Sequence, residues 1–359
     1  MTPDLPNIPT PTLGGGPLWE DVAQVEGYRI QRNRMTGHHR LIDAANVRRA
    51  WGSHETCEEM LARLIGEPEP APHPNIPLPT LGGMQFWADE IVHCGWRIQR
   101  NVFTGHHRLL DPRDRRQAWG TLEQCDVVMR RLHEEAEIEP QSDRVVILVH
   151  GILSWRGVWG SMIEALRRGG YEPVAINYPS TRAGIEDHVE QLARVIANLA
   201  DHEELHFVTH SMGGLIVRRL LADFPEISEE TGRVVMIATP NNGAVTADLV
   251  RDLFAFHLVF GPAGRQLVTG INSFVHGLPV PDCEFAVIAG SGGKSRGINP
   301  LLSGDNDGVV EAESARLEGM SDFLLVPHGH NTIMRATEVV EATVRFLRTG
   351  RLTPSPSSA

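Results

Sequence analysis

The chain has 359 residues, of which 41% are hydrophobic and 22% are charged, so it can bury a substantial core and form about two domains. Its formal net charge of −12 would repel a phosphate backbone, which argues against nucleic acid as a partner. No run approaches the roughly 18 apolar residues of a membrane-spanning helix, and the first residues lack the basic and apolar regions of a secretory signal. We therefore expect a soluble, cytoplasmic protein without an integral membrane segment.

An internal repeat occupies the N-terminal part of the chain. NIPTPTLGGGPLWED at 7–21 recurs as NIPLPTLGGMQFWAD at 75–89, and the same offset aligns the following segments without a gap. In each copy, two short alternating segments, YRIQRN and HHRLID in the first, predict a β-hairpin whose turn ends at Gly37 or Gly105. The RRAWG segment of the first copy is a candidate third strand.

Each copy then continues into a predicted amphipathic helix. Ser53 or Thr121 stands at its N-cap, and Thr121 with Gln124 makes a capping-box pattern. A unit of about 55 residues has a thin core, so we expect the two copies to pack on each other or on the next domain. Nothing in the sequence indicates what these repeats bind.

Four regions follow from these patterns. We predict small α+β repeats at 7–66 and 75–135, a catalytic domain at 143–350 and a disordered tail at 351–359. The proline-rich segment GEPEPAPHPNIPLPTLGG between the copies predicts a stiff, extended linker.

After the repeats, short apolar runs alternate with helix-period segments. RVVILV, EPVAINY, LHFVT, RVVMIAT, EFAVIAG and FLLV are typical of strands that are buried on both faces of a sheet. This alternation predicts an α/β fold with a mostly parallel sheet. The apolar segment 244–281 is longer than a strand-to-helix connection requires, so it predicts a helical cap over a cleft.

The stretch LHFVTHSMGGLIVRRLL at 205–221 joins a strand pattern to a helix pattern through HSMGG. A nucleophile elbow follows G-x-S-x-G at such a junction, and here Thr209 replaces the first glycine while Gly213 supplies the second. Ser211 is therefore a candidate nucleophile. The alternative is an ordinary helix N-cap, a role that serine often has.

A second segment, VILVHGILSW, supports the nucleophile interpretation. It places His150 and Gly151 at the end of the first strand of the catalytic block, where this kind of fold supplies one backbone donor of an oxyanion hole. The residue after the nucleophile supplies the other. The expected donors are the N–H groups of Ile152 and Met212.

The base and its carboxylate partner are expected after later strands. PHGHNTIM offers His330 as the base, with His328 as its competitor, and SGDNDGVVEAES offers Asp307 as the acid, with Asp305 as its competitor. The DNDG sequence also resembles part of a calcium loop, but the glutamate that would close an EF-hand is missing.

The repeated TGHHR sequence invites a metal-site interpretation. Adjacent histidines in a strand point to opposite faces, so neither copy makes a chelate alone. A structural hairpin is therefore the favoured interpretation of the four histidines in this sequence: His38, His39, His106 and His107.

The repeated tryptophans are expected in the cores of the small units: Trp19, Trp51, Trp87 and Trp119. The four scattered cysteines form no C-x-x-C pair, which argues against a structural zinc site or a disulfide framework: Cys57, Cys94, Cys125 and Cys283.

Residues 144–350 resemble bacterial lipase- and esterase-type α/β-hydrolases, a group related to GPI-inositol-deacylase-like hydrolases. The resemblance is carried by VHGILSW, YPSTR, FVTHSMGGLIVRRLL, ATPNNGA, DGVVEAESARLEGMSDFLLVPHGH and FLRTGR. It implies a serine carboxylic-ester hydrolase without a cofactor or metal, with Ser211, His330 and Asp307 as its triad. The repeats lie outside the resemblance.

The substrate expected on this interpretation is a small ester or a lipid. Trp155 and Trp159 are candidate walls of an acyl pocket, together with the segment 244–281. Acyl transfer or amide cleavage would use the same triad. A further alternative is a binding protein whose repeats attach to a polymer or partner while the hydrolase domain is weak or vestigial.

Overall fold

The computed structural model describes residues 19–34, 37–46, 48–65, 86–243, 261–264, 266, 274–293 and 297–354. The chain divides into two compact units, one made of residues 1–81 and 95–139 and the other of residues 82–94 and 140–359. The division falls inside the second repeat, and the first strand of that repeat belongs to the unit with the catalytic block. The predicted linker, most of the predicted cap and the last five residues of the predicted tail lie outside the described residues.

Both copies of the repeat contain four strands followed by a helix. The first copy comprises β1 (Trp19–Val25), β2 (Tyr28–Asn33), β3 (His39–Ile42), β4 (Arg48–Gly52) and α1 (His54–Ile65). The second comprises β5 (Trp87–His93), β6 (Trp96–Asn101), β7 (His107–Leu110), β8 (Arg116–Gly120) and α2 (Leu122–Glu135). The predicted hairpin, third strand and helix are therefore confirmed in each copy, as is the capping box of Thr121 and Gln124.

The first strand of each copy was not expected from the sequence. In β1 the pairing with β2 shifts register between Asp21 and Ala23, so the alternation of inward and outward side chains is interrupted there. A bulge of this kind removes the period-two signal by which a strand is identified in a sequence.

The cores of the two copies use equivalent positions, as a duplication predicts. In the first copy a small apolar cluster is formed by Ile30, Leu41, Ala50, Cys57, Met60 and Leu61. The corresponding positions of the second copy are also buried: Ile98, Leu109, Ala118, Cys125, Val128 and Met129.

Within the first compact unit the two copies pack on each other through reciprocal ring contacts. The His38 ring stacks on Trp119 with centroids 5.2 Å apart, and His106 stacks on Trp51 at 4.8 Å. The expected packing between the copies is present. Trp19, Trp51 and Trp119 are buried in this unit as predicted, whereas Trp87 is buried in the second compact unit.

The second unit is built on a six-stranded parallel sheet with the order β10-β9-β11-β12-β13-β14. Its strands are β9 (Arg144–Val149), β10 (Glu172–Ala175), β11 (Glu204–His210), β12 (Thr231–Ile237), β13 (Glu284–Gly290) and β14 (Asp322–Val326). Its helices include α3 (Gly160–Arg168), α4 (Ile185–Ala197), α5 (Met212–Asp223), α6 (Pro225–Glu230), α7 (Ala312–Ala315) and α8 (Thr337–Thr349). Short 3₁₀ turns cover Arg156–Trp159, Val275–Gly277 and Ile333–Arg335.

Helices cover both faces of this sheet. On β9, Ile147 belongs to the apolar cluster that includes α4 and α5, whereas the adjacent Leu148 belongs to the cluster that includes α3 and α8. Alternate residues of a strand point to opposite faces, so continuous apolar strands place a core on each side. This three-layer arrangement confirms the predicted α/β fold and parallel sheet. In the described part of the chain, no helix has the length and apolar character needed to cross a membrane.

Candidate active site

Ser211 lies at the junction between β11 and α5 with a strained backbone. Its φ of 54° and ψ of −126° belong to a region that residues with a side chain rarely adopt. The Ser211 N–H donates to the carbonyl of Ile237 at 2.9 Å, and its carbonyl accepts from Gly214 N–H at 3.0 Å. The Ser211 side chain makes no capping hydrogen bond to α5, so the N-cap alternative does not describe this serine.

The elbow requires glycine at one flank and accepts threonine at the other. A Cβ on Gly213 would lie 2.3 Å from the Val149 carbonyl oxygen, so this position has no room for a side chain. Thr209 is fully buried in β11, paired with Val149 on one side and Met236 on the other. Threonine fits here because its side chain occupies a regular strand position, where its Oγ1 donates to the Val235 carbonyl at 3.4 Å.

His330 and Asp307 complete a hydrogen-bonded line from Ser211. His330 Nε2 is 3.0 Å from Ser211 Oγ, and His330 Nδ1 is 2.7 Å from Asp307 Oδ2. The other oxygen of Asp307 accepts the N–H groups of Val309 and Val310 at 2.9 and 2.7 Å. With Asp307 as acceptor, Nδ1 carries the proton and Nε2 is left to accept from the serine hydroxyl.

The line is shielded from water and fixed by backbone contacts. The three residues Ser211, Asp307 and His330 are all buried, and the His330 N–H donates to the Asp307 carbonyl at 2.9 Å. His210 lies against His330 with ring centroids 4.9 Å apart, and its Nε2 is 2.9 Å from the His330 carbonyl oxygen. Burial lowers the pKa of His210 well below its usual value, so a neutral ring adjoins His330.

The two competitors for the acid and base have other partners. Asp305 accepts from Ser291 Oγ at 2.5 Å and from the Gly292 N–H at 2.9 Å, which fixes the loop after β13. His328 is 2.9 Å from Glu338 at the protein surface. Neither side chain adjoins Ser211. Within the described residues, no group of three histidine, cysteine or acidic side chains is arranged to hold a metal ion.

The turn after β9 packs directly against the serine. A Cβ on Gly151 would lie 2.8 Å from Ser211 Cβ, so only glycine allows this approach. The Met212 N–H is the first of α5, and neither it nor the Ile152 N–H donates to an acceptor among the described residues. The two N–H groups expected as oxyanion donors thus follow Gly151, which contacts Ser211, and Ser211 itself, and neither has an acceptor among the described residues.

Two polar side chains that we did not identify from the sequence hold this turn. The Tyr178 hydroxyl donates to the His150 carbonyl, and Ser180 Oγ accepts the Leu153 N–H at 3.1 Å. Leu153 has a φ of 56°, so the turn is strained and needs such contacts. The segment YPS that follows β10 carries both residues, but its pattern alone does not indicate which loop it contacts.

The two candidate pocket tryptophans have different environments. Trp155 is half-exposed and lines a cleft of about 310 Å³ beside the turn, with these further residues: Leu153, Ser154, Asn177, Tyr178, Ser180 and Thr181. Trp159 is fully buried in the apolar cluster that includes α3 and α8. The expectation that Trp159 lines the pocket is therefore corrected, because its ring packs into the core beside the sheet.

Residues 144–260 match a family model described as the α/β hydrolase fold. Among solved structures, the mature lipase BlEst2 from Bacillus licheniformis is 21% identical, with 60% of this chain and 94% of that chain covered and a TM-score of 0.45. The metagenomic carboxyl esterase MGS0156 is 20% identical, with 54% and 65% covered and a TM-score of 0.42. Phospholipase PlaB from Legionella pneumophila is 15% identical, with 59% of each chain covered and a TM-score of 0.44.

This chain spans less than two thirds of the length of the last two proteins. No curated protein matches it. The family match supports a hydrolase, and it agrees with the observed six-stranded parallel sheet and its two helical layers. Residues 144–260 therefore match the α/β hydrolase fold, and the second compact unit continues the same sheet to six parallel strands.

Proposed function

We propose that the protein is a serine carboxylic-ester hydrolase that acts through an acyl-enzyme on Ser211. The observation that carries the proposal is the continuous hydrogen-bonded line from Ser211 Oγ through His330 to Asp307, built on a serine with a strained backbone. A nucleophile, a base and a group that orients the base within hydrogen-bond distance are the requirements of this chemistry.

The first half of the reaction forms an ester on the enzyme. His330 Nε2 removes the Ser211 proton as Oγ attacks the ester carbonyl carbon, and the resulting imidazolium then protonates the departing alcohol. Asp307 keeps the Nδ1 proton in place and stabilises the imidazolium. In the second half, His330 Nε2 takes a proton from a water molecule as the water oxygen attacks the acyl carbon. The imidazolium then gives this proton to Ser211 Oγ as the C–O bond breaks and the acid is released.

The negative oxygen of each tetrahedral intermediate needs two preorganised donors. The Ile152 and Met212 N–H groups are suited to this role because Ile152 follows Gly151, which contacts Ser211, Met212 follows Ser211, and neither N–H has another acceptor among the described residues. In comparable sites, loss of one such donor costs about 3 to 4 kcal/mol of transition-state stabilisation. We infer that one side of the substrate occupies the cleft lined by the half-exposed Trp155, because that cleft borders the turn that carries Leu153 and Ser154.

A fluorophosphonate probe tests the proposal directly. We expect it to label the full-length protein at Ser211, as mapped by mass spectrometry, and we expect p-nitrophenyl esters of short or long chain to be hydrolysed. Ser211→Ala should lose both labelling and turnover while its circular dichroism spectrum is unchanged. Turnover that survives in Ser211→Ala would refute the nucleophile assignment, and an unlabelled, inactive wild type would favour a binding protein instead.

A parallel series of matched amides, and of alcohols as acyl acceptors, separates esterase activity from amidase and transferase activity.

A further inference from the structure

The two copies of the repeat contain the same aspartate in different surroundings. Asp21 of β1 is about half-exposed, and it accepts a hydrogen bond from Gln31 Nε2 at 2.7 Å. Asp89 occupies the equivalent position of β5, where it is fully buried. The strand β1 is mostly exposed, whereas β5 is buried along nearly its whole length and packs against α4. The strand β5 is therefore buried in the second compact unit, unlike its equivalent β1 in the first.

Asp89 and its strand β5 hold Asn177, which lies just after the edge strand β10 of the parallel sheet. The Asn177 N–H donates to Asp89 Oδ2 at 2.6 Å, the Asp89 N–H donates to the Asn177 carbonyl at 2.9 Å, and Asn177 Nδ2 donates to the Trp87 carbonyl at 2.9 Å. Gln191 Nε2 of α4 lies 2.9 Å from the Asp89 carbonyl oxygen and 3.0 Å from that of Asn177. Because β10 is an edge strand, the chain beyond it would otherwise leave buried backbone groups unpaired.

The segment fixed in this way continues directly to the turn beside Ser211. Tyr178 stacks on the His150 ring at a centroid distance of 4.2 Å and donates to the His150 carbonyl, and Ser180 accepts the Leu153 N–H. These contacts hold the turn on both sides of Gly151 and Ile152. The bond from Asp89 to Asn177, the covalent chain from Asn177 to Ser180 and the bonds of Tyr178 and Ser180 therefore connect Asp89 to the two peptides that flank the one carrying the Ile152 N–H.

We propose that β5 is an integral part of the catalytic unit and that Asp89 is a positioning residue, which acts through Asn177 on the loop that holds the oxyanion turn. The proposal rests on the serine-hydrolase function proposed above. Removal of the Asp89 carboxylate takes away the acceptor that lies 2.6 Å from the buried Asn177 N–H, which favours a shift of the loop and of the turn that Tyr178 and Ser180 hold. If the Ile152 N–H is displaced by about 1 Å, it loses much of its stabilising effect on the transition state. The hydrogen bonds among Ser211, His330 and Asp307 do not involve this loop and stay unchanged.

The test compares Asp89→Ala with the internal control Asp21→Ala in the full-length protein. We expect Asp89→Ala to lower kcat for p-nitrophenyl butyrate and the rate of fluorophosphonate labelling by about tenfold or more, since both reactions use the oxyanion donors. The midpoint of the pH–rate profile should not move, because His330 keeps its partners. Asp21→Ala should react as the wild type does, and Asp89→Asn should recover most of the rate, because its amide oxygen can still accept from Asn177.

Each outcome separates this inference from the function on which it rests. An unlabelled wild type refutes the proposed function itself. A labelled wild type together with a folded Asp89→Ala that reacts at the wild-type rate refutes the positioning role, and so does a shifted pH–rate midpoint. If Asp89→Ala does not fold, Ser180→Ala examines the same connection at its other end, where it removes the acceptor of the Leu153 N–H. Wild-type labelling of Ser180→Ala would then overturn the proposal.

Discussion

Single residues decide the candidate chemistry, and the two aspartates of the loop after β13 show how closely related positions differ. Asp307 Oδ2 faces His330, whereas Asp305 is bound to Ser291 and Gly292. We expect Asp307→Asn to lower kcat by about 10⁴, because an amide at this position favours the wrong imidazole tautomer. Asp305→Asn should retain kcat within about tenfold, since among the described residues the Asp305 carboxylate bonds to Ser291 and Gly292 and not to His330. Initial rates with p-nitrophenyl acetate give kcat for both variants. An equal decrease of kcat in the two variants would contradict the assignment of Asp307 as the partner of His330.

The residues flanking Ser211 lead to a second expectation about the elbow. Gly213→Ala places a Cβ against the Val149 carbonyl oxygen, so we expect loss of esterase activity together with a lower unfolding temperature. Thr209→Gly should keep kcat while it destabilises the protein by more than the roughly 0.5 to 1 kcal/mol that glycine costs in a strand interior, because the buried side chain and its hydrogen bond to the Val235 carbonyl are also lost. Esterase assays and thermal unfolding of both variants examine this, and an inactive Thr209→Gly would mean that the threonine itself takes part in the site.

Helices and strands show which parts of the molecule can be predicted from sequence. The strands of the parallel sheet and the elbow were predictable because their apolar runs, and the order of serine, acid and histidine, are local or sequential patterns. The strand β1 could not be predicted, because a bulge interrupts its alternation of inward and outward side chains. The contacts of Tyr178 and Ser180 could not be predicted either, because they depend on which loops the fold brings together. Trp159 was misplaced for a related reason, since a tryptophan near a turn is equally compatible with a cleft wall and a core position.

The helix α2 offers a test confined to one element of the first compact unit. Thr121 Oγ1 accepts the Gln124 N–H at 3.1 Å, while Gln124 Oε1 accepts the Thr121 N–H at 2.9 Å. Thr121→Ala removes one half of this capping box, so we expect a loss of about 1 kcal/mol in local stability. Faster amide hydrogen exchange in the first turn of α2 would reveal it. Thr121→Ser retains the acceptor and serves as the matched control, and equal exchange in both variants would show that the cap is dispensable.

Across the whole molecule, buried histidines couple stability to pH. Burial lowers the pKa of His106 in the first compact unit to about 4, and it lowers those of His150 and His188 in the second to about 4 as well. In the unfolded chain these rings titrate near their ordinary pKa of about 6.5. Between about pH 6.5 and pH 4 the unfolded state therefore binds more protons than the folded state. Their contribution to stability is fully present above pH 6.5 and is lost as the pH falls to 4, by up to about 3 kcal/mol for each ring.

The contribution of one ring can be isolated at His188, which lies 4.7 Å from Tyr178 between ring centroids and outside the line from Ser211 to Asp307. His188→Phe keeps an aromatic ring beside Tyr178 but cannot bind a proton. We expect its free energy of unfolding, measured by urea titration at several pH values, to fall less steeply between pH 6.5 and pH 4 than that of the wild type. The two slopes should coincide above pH 7, where the histidine is neutral in both states. Equal slopes for the variant and the wild type below pH 6.5 would mean that His188 takes up its proton over the same pH range in the folded and unfolded states. Water would then reach the His188 ring in the folded protein.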